Sequence, residues 1–297
     1  MTRLQRAGLV LGIAAALSAS AAAAPATVTV DPPRNAAFPA SNRQLLIRSA
    51  GSDMNALLFK AQGPGLKPTV ILLHGLPGNE RNLDLAQALR RVGWNVLTFT
   101  YRGAWGSDGS FGLANSYEDG EAALAFARSP EGAKLGIDPR RIVIGGHSFG
   151  GGVSGVVAAR HLELLGLILL DAWNVGADSR EVVAGGAEAR RQFEAGLDDL
   201  GRSLSGATPT SLADEIIAIN GRFNLFDETE KLRAMPILEI YATHGGRAAN
   251  MALVAALKRA GNRRVTAIEL NSDHPFADHR IALSKAVAAW LKTLPRR

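Results

Sequence analysis

A serine between two glycines, in the stretch Gly146-His147-Ser148-Phe149-Gly150, has the residue types that nucleophilic catalysis needs. Apolar residues precede it at 142–144 and follow it at 153–159, which predicts a buried strand, a tight turn and a helix. A serine on such a turn has a strained backbone and an exposed hydroxyl, and glycine fits where neighbouring backbone comes close. We therefore predict that Ser148 is a nucleophile. The alternative is an ordinary strand-to-helix turn.

Two backbone N–H groups are predicted to bind the oxyanion that forms when a carbonyl is attacked. The first belongs to Phe149, the residue after the nucleophile, at the positive end of the following helix. The second belongs to Leu76, because the glycine-rich loop 74–79 directly follows an apolar run of strand length at 69–73. His74 in the same loop is predicted to be structural, with its ring hydrogen-bonded inside the loop.

The elements around these loops alternate between apolar strand-like runs and amphipathic helical patterns. This pattern predicts an α/β fold, a mostly parallel central sheet with helices on both faces, whose functional groups gather at the carboxyl ends of the strands. Residues 172–233 are richer in charge and have helical but no clear strand patterns, so we predict a small helical cap insertion there. The predicted strands are 44–48, 55–60, 69–73, 94–100, the run before Ser148, 165–170, 236–242 and 265–270. The predicted helices include 82–92, 116–128, 187–200, 212–220, 249–260 and 280–294.

The amino terminus has the pattern of a secretory signal peptide. Arg3 and Arg6 precede an apolar segment at 7–17 that is too short to span a bilayer well, and small residues follow through Ala26. We predict a signal peptide at 1–26, cleaved between about Ala21 and Ala26, and an α/β domain at 27–297 that is periplasmic or secreted.

Composition excludes several other classes of protein. The chain has no cysteine, which removes disulfides and thiolate metal sites, and it has no metal-ligand spacing. Its net charge of +6 is spread out rather than arranged as a basic stripe with aromatic residues, so we predict no nucleic-acid partner. No second long apolar run predicts a membrane span. The predicted partner is a small acyl compound.

The order of four motifs resembles the α/β-hydrolase superfamily. They are a His74-Gly75 loop, a Tyr101-Arg102-Gly103 loop, the Ser148 motif and a late Asp273-His274-Pro275-Phe276. Within the superfamily the chain is most similar to the dienelactone-hydrolase and prolyl-oligopeptidase-like branch, catalytic domain only, over about residues 44–294. The resemblance implies hydrolysis of an ester, thioester or amide through an acyl-enzyme, without a cofactor.

The resemblance also implies a histidine base after the last strand. His274 occupies that place and would take the proton of Ser148 and return it to the leaving group. His244 and His279 are rival candidates. A surface loop residue is the alternative role for His274.

The triad acid departs from the pattern of similar hydrolases, which usually carry an aspartate shortly after the strand at 236–242. Here the loop 243–247 contains no carboxylate. Asp171, at the end of the preceding strand, is the favoured acid. Asp273 or Asp278 is an alternative, as is an incomplete triad in which water or a backbone carbonyl orients the imidazole.

No substrate-binding residue is assigned from the sequence. The arginines that could bind a substrate carboxylate are Arg102, Arg190, Arg191 and Arg247, and the aromatic residues that could line an acyl pocket are Trp105, Trp173 and Phe193. The preferred function is an exported serine hydrolase that cleaves a carboxylic ester. A peptidase or amidase of the same fold, and a non-catalytic binding protein with an incomplete triad, are the alternatives.

Overall fold

A sheet of eight strands forms the centre of the computed structural model, which describes residues 28–197, 200 and 203–295. The strands are β1 (Ser41–Ser49), β2 (Ser52–Lys60), β3 (Lys67–Leu73), β4 (Asn95–Phe99), β5 (Ile137–His147), β6 (Gly166–Leu170), β7 (Ile237–His244) and β8 (Val265–Asp273). Their order is β1-β2-β4-β3-β5-β6-β7-β8. β2 is antiparallel to both neighbours, and the remaining neighbours are parallel. The predicted mostly parallel α/β sheet is confirmed. The predicted signal peptide lies outside the described residues.

Helices cover both faces of this sheet. They are α1 (Leu83–Arg91), α2 (Asn115–Arg128), α3 (Pro130–Lys134), α4 (Phe149–Arg160), α5 (Val175–Ala195), α6 (Pro209–Ile219), α7 (Arg247–Arg259) and α8 (Arg280–Leu291), with short 3-10 helices at Leu225–Glu228 and Lys231–Ala234. Two apolar clusters bury the sheet: α1 and α8 contribute to one, and α2, α4 and α7 contribute to the other.

The inner strands show why the sheet is covered on both sides. In β5, Ile142 and Ile144 belong to one cluster and Val143 to the other, because successive side chains point to opposite faces. All five residues of β6 are buried. Continuous apolar runs of this kind are typical of parallel strands between two helical layers.

The connection from β6 to β7 contains α5, α6 and both 3-10 helices. α5 packs against α6, and it begins at Val175, well before the position predicted from the sequence. The helix is kinked at Gly186, whose φ is 63°. These helices fall within the predicted cap insertion. In the part of the chain described, no helix is long and apolar enough to span a membrane.

Candidate active site

Ser148 lies on the turn between β5 and α4 in a conformation that few non-glycine residues adopt. Its φ is 55° and its ψ is −121°. The turn is fixed from both sides, since the Ser148 N–H donates to the Leu170 carbonyl at 2.9 Å and the Trp173 N–H donates to the Ser148 carbonyl at 2.9 Å. The end of β6 therefore holds the serine in place. Backbone strain of this kind is concentrated at functional sites.

The two flanking glycines are required by close backbone contacts. A Cβ on Gly146 would lie 2.5 Å from the carbonyl oxygen of Gly150. A Cβ on Gly150 would lie 2.5 Å from the carbonyl oxygens of Leu73 and His74. The turn thus packs directly on the carboxyl end of β3, from which the His74 loop begins.

A hydrogen bond joins His274 to Asp171 across the ends of β8 and β6. The distance from His274 Nδ1 to Asp171 Oδ2 is 2.5 Å. The Asp171 carboxylate also accepts from the N–H of Gly246 at 2.9 Å, the N–H of Ala242 at 3.2 Å and Nδ2 of Asn250 at 3.2 Å. The carboxylate is fully buried, whereas 43% of the His274 side chain is exposed. An ionised acid buried in this way requires several donors, and here it has them.

The electrostatics of this region favour one negative charge, on Asp171. Burial raises the pKa of Asp171, but the hydrogen bonds from His274, Gly246 and Ala242 outweigh burial and hold the pKa below its usual value. Glu239, fully buried in β7, has a pKa well above its usual value because of burial and the nearby charge of Asp171. Burial and the charge of Asp171 thus both favour the neutral form of the Glu239 carboxyl.

The rival acids have other partners. Asp273 Oδ1 accepts from the Ala277 N–H at 2.7 Å. The carboxylate of Asp278 accepts a hydrogen bond from the Ser272 hydroxyl, and its Oδ1 lies 2.9 Å from Nδ1 of His279. Among the candidate acids, the structure brings Asp171 alone to the His274 ring. His244 is exposed at the end of β7.

Ser148, His274 and Asp171 line one cavity of about 490 Å³. Within the described residues, the Ser148 hydroxyl has no hydrogen bond to His274; in the absence of substrate such bonds are often long. The remaining lining residues come from the start of α5, from α7 and from the segments beside them: Ala172, Trp173, Asn174, Ala177, Asp178, Glu181, Phe226, Gly246, Ala248, Ala249, Asn250, Ala252 and Leu253.

The two candidate oxyanion donors flank Ser148. Phe149 is the first residue of α4, so its N–H has no acceptor within the helix. Leu76 follows Gly75, where a Cβ would lie 3.1 Å from Cβ of Ser148. Both residues are thus next to the serine, and their role stays a prediction.

Two further histidines have structural positions. His74 Nδ1 donates to the Gly75 carbonyl at 2.7 Å, which confirms that its ring is bonded inside its own loop, and burial lowers its pKa to about 4. His147 Nε2 donates to the His274 carbonyl at 2.9 Å, and the two rings are 4.6 Å apart. Burial lowers the pKa of His147 to about 4, so the ring is neutral. Sequence reasoning placed His147 in the packing but missed this contact.

The four candidate arginines are paired with carboxylates and do not line the cavity. Arg102 is held by Asp119 and Glu118, Arg190 by Glu194 and Asp214, Arg191 by Glu188, and Arg247 by Glu269. Of the aromatic candidates, Trp173 lines the cavity. Phe193 packs against Trp173, and Trp105 Nε1 donates to the Pro77 carbonyl at 2.7 Å.

Several residues of the site had no signal in the sequence. Gly246 and Asn250 were not expected to hold the acid, and Asp178 and Glu181 were not expected in the cavity. Asn250 carries no motif that separates it from other helix residues. Asp178 and Glu181 are three apart near the start of a helix, a spacing that would place them on one face had that start been predicted.

The sequence matches the Alpha/beta hydrolase family over residues 70–292, and the chain belongs to that family. A relative, the quorum-quenching protein AidA of Acinetobacter baumannii (strain MDR-ZJ06), is 36% identical over 120 residues, which span 38% of this chain and 38% of that protein. The match thus covers well under half of the relative.

Solved structures share the fold. DcsB, solved with its substrate analogue, has a TM-score of 0.65 and 15% identity, covering 85% of this chain and 98% of that chain. Est1E from Butyrivibrio proteoclasticus, solved with ferulic acid, has a TM-score of 0.64 and 19% identity, covering 84% of this chain and 98% of that chain. The predicted superfamily is confirmed. Membership of this family supports a hydrolase.

Proposed function

We propose that this chain is a serine hydrolase that cleaves a carboxylic ester through an acyl-enzyme on Ser148. One observation carries the proposal: Ser148, in its strained turn, lines the same cavity as a histidine whose ring is bonded to a buried, ionised aspartate. This arrangement meets the chemical requirements of a nucleophile, a base and an orienting acid.

The proposed reaction has two halves. The Ser148 hydroxyl attacks the ester carbonyl while His274 Nε2 takes its proton, and Asp171 holds the Nδ1–H and stabilises the imidazolium. The N–H groups of Leu76 and Phe149 bind the oxyanion. Collapse expels the alcohol, which receives the proton from His274. Water, activated by His274 in the same way, then releases the acid and restores Ser148.

The test is hydrolysis of p-nitrophenyl esters from acetate to octanoate. We expect turnover by the wild type, no turnover above background by Ser148→Ala, and unchanged turnover by Ser110→Ala, a control at an exposed loop serine. A fluorophosphonate probe should label the wild type and not Ser148→Ala. Full turnover by Ser148→Ala would overturn the assignment of the nucleophile.

Two alternatives are outcomes of the same experiment. Hydrolysis of p-nitroanilides with inert esters would favour a peptidase or amidase. Absence of turnover and of labelling would favour a binding protein. Because one relative is named a quorum-quenching protein, quorum-signalling compounds that contain an ester belong in the substrate panel.

We also propose that the protein is exported, on the basis of the predicted signal peptide at 1–26.

A further inference from the structure

One side of the cavity beside Ser148 carries two carboxylates that no positively charged side chain among the described residues neutralises. Asp178 and Glu181, one turn apart on α5, both line it, and neither forms an ion pair within the described residues. No lysine or arginine is among the described residues that line the cavity. This differs from the surface around it, where carboxylates such as Asp214, Glu188 and Glu269 are paired with arginines.

Trp173 connects Asp178 to the proposed nucleophile, Ser148, through two hydrogen bonds. Nε1 of Trp173 donates to Asp178 Oδ2 at 2.6 Å, and the Trp173 backbone N–H is bonded to the Ser148 carbonyl. Burial, together with the charge of Glu181, raises the pKa of Asp178 above its usual value. A cation in the cavity would relieve the cost of keeping both carboxylates ionised.

Other features of the cavity are suited to a cationic group. Asn250 is buried, and its Oδ1 is an acceptor with no hydrogen-bond partner among the described residues. The rings of Trp173 and Phe226 line the same space, and aromatic faces attract ammonium groups. Five alanines, Ala172, Ala177, Ala248, Ala249 and Ala252, leave room for a bulky head group. The acceptor, the aromatic rings and the carboxylates all favour positive charge.

We propose that this cavity takes esters that carry an ammonium group, and that Asp178 and Glu181 are its specificity-determining residues. The inference rests on the proposed function, since it concerns the substrate of the same site. Neutral esters of similar shape remain substrates at lower efficiency, and anionic esters are disfavoured.

The kinetic test uses isosteric pairs that differ only in charge. One pair carries the charge on the acyl side, p-nitrophenyl 4-(trimethylammonio)butanoate and p-nitrophenyl 5,5-dimethylhexanoate. The other carries it on the alcohol side, acetylcholine and 3,3-dimethylbutyl acetate. In at least one pair we expect kcat/KM of the cationic ester to be about tenfold higher, the size that one desolvated cation–aromatic or charge–charge contact supplies.

The variants are Asp178→Asn and Glu181→Gln. Asp178→Asn keeps an acceptor for Trp173, so the cavity keeps its shape. Each variant should lower the ratio of cationic to neutral kcat/KM, and the double variant should bring it to about one. Glu188→Gln, on the same helix and outside the cavity, makes the same change in net charge and should leave the ratio unchanged. A ratio near one in the wild type for both pairs, or a ratio that survives in the double variant, overturns the proposal.

A binding measurement separates this inference from the proposed function. Calorimetric titration of Ser148→Ala with acetylcholine and with 3,3-dimethylbutyl acetate requires no turnover. Tighter binding of acetylcholine, lost with Asp178→Asn and Glu181→Gln, supports the cationic site even where every ester is inert. Equal binding of the two esters, or detectable binding of neither, overturns the site, while hydrolysis of neutral esters that depends on Ser148 keeps the proposed function.

Discussion

The buried carboxylate of Asp171 accepts hydrogen bonds from four donors. Substitution of Asp171 therefore tests whether it is the triad acid. We expect Asp171→Asn to lower kcat by about 10⁴-fold, because an amide cannot hold the His274 tautomer or stabilise the imidazolium. The measurement is ester turnover. Asp273→Asn and Asp278→Asn are matched controls at the rival positions, and both should stay active. A silent Asp171→Asn with an inactive Asp273→Asn or Asp278→Asn would move the acid to that position.

The same carboxylate should make stability depend on acid pH. Its pKa is lower in the folded protein than in the unfolded chain, so it stabilises the fold above the unfolded pKa of about 4. That contribution is lost as pH falls below about 4 towards the lower folded pKa. Urea unfolding at several pH values should show a steeper acid loss of unfolding free energy in the wild type than in Asp171→Asn. Parallel pH curves would contradict this.

We expect His147 to position His274 through one hydrogen bond. The Nε2–H of His147 donates to the backbone carbonyl of His274, so His147→Phe keeps a ring and removes the donor. We expect kcat to fall about tenfold, the size of one net hydrogen bond, with KM unchanged. His147→Gln, which keeps an N–H donor, should recover part of the loss. Because the pKa of His147 is about 4, the pH profile above about pH 5 should keep its shape in both variants. An unchanged kcat in His147→Phe would show that the bond does not position His274.

At this scale the sequence predicted part of the site and left part open. The Ser148 motif is local, so its turn could be read from five consecutive residues. The acid is 103 positions from His274 along the chain, and no local pattern distinguishes Asp171 from Asp273. Asp171 and Asp273 are distinguished only by the fold, in which the end of β6 lies close to the end of β8 with β7 between them.

The turn between β5 and α4 is an element whose geometry tolerates no side chain at its glycines. We expect Gly150→Ala to destabilise the protein by roughly 3 kcal/mol or more, because the added methyl overlaps two backbone carbonyls that cannot move aside. Gly155→Ala in the same helix meets the flexible end of Leu225, so its cost should be less than half as large. Urea unfolding measures both. Equal stability of the two variants would contradict the rigid packing of the turn on β3.

Among the other elements, β3, β4 and β6 were predicted within two residues because their apolar runs are continuous. β5 begins at Ile137, five residues before the predicted apolar run, because the polar stretch 138–141 continues the strand instead of forming a turn. The edge strands were harder. β8, an edge strand, continues to Asp273, and its inner neighbour β7 continues to His244, because polar residues are tolerated at these exposed strand ends. The glycines at 185–186 interrupt the helical pattern, so the first half of α5 was not predicted. The helix begins ten or more residues before the predicted start. β2 is antiparallel to β1 because a tight turn at 50–51 joins the two strands.

At the scale of the whole molecule, we predict that the protein is exported. With the leader intact in a bacterial host, the mature protein should be found in the periplasm or medium, with an amino terminus between about Ala21 and Ala26. A control lacking 1–26 should stay in the cytoplasm. Fractionation and terminal sequencing measure this. A full-length chain retained in the cytoplasm would contradict the prediction.

The placement of the proposed acid at the end of β6 limits where a second carboxylate fits. The loop after β7, where similar hydrolases usually carry their aspartate, helps to hold Asp171 instead: Gly246 in that loop and Ala242 near the end of β7 both donate to its carboxylate. A Cβ on Gly245 would overlap Asp171 Oδ2, so the second carboxylate has no room while the first is present. We therefore expect that moving the proposed acid to the loop after β7 requires both substitutions together, because Gly245→Asp alone would place a second carboxylate against the first.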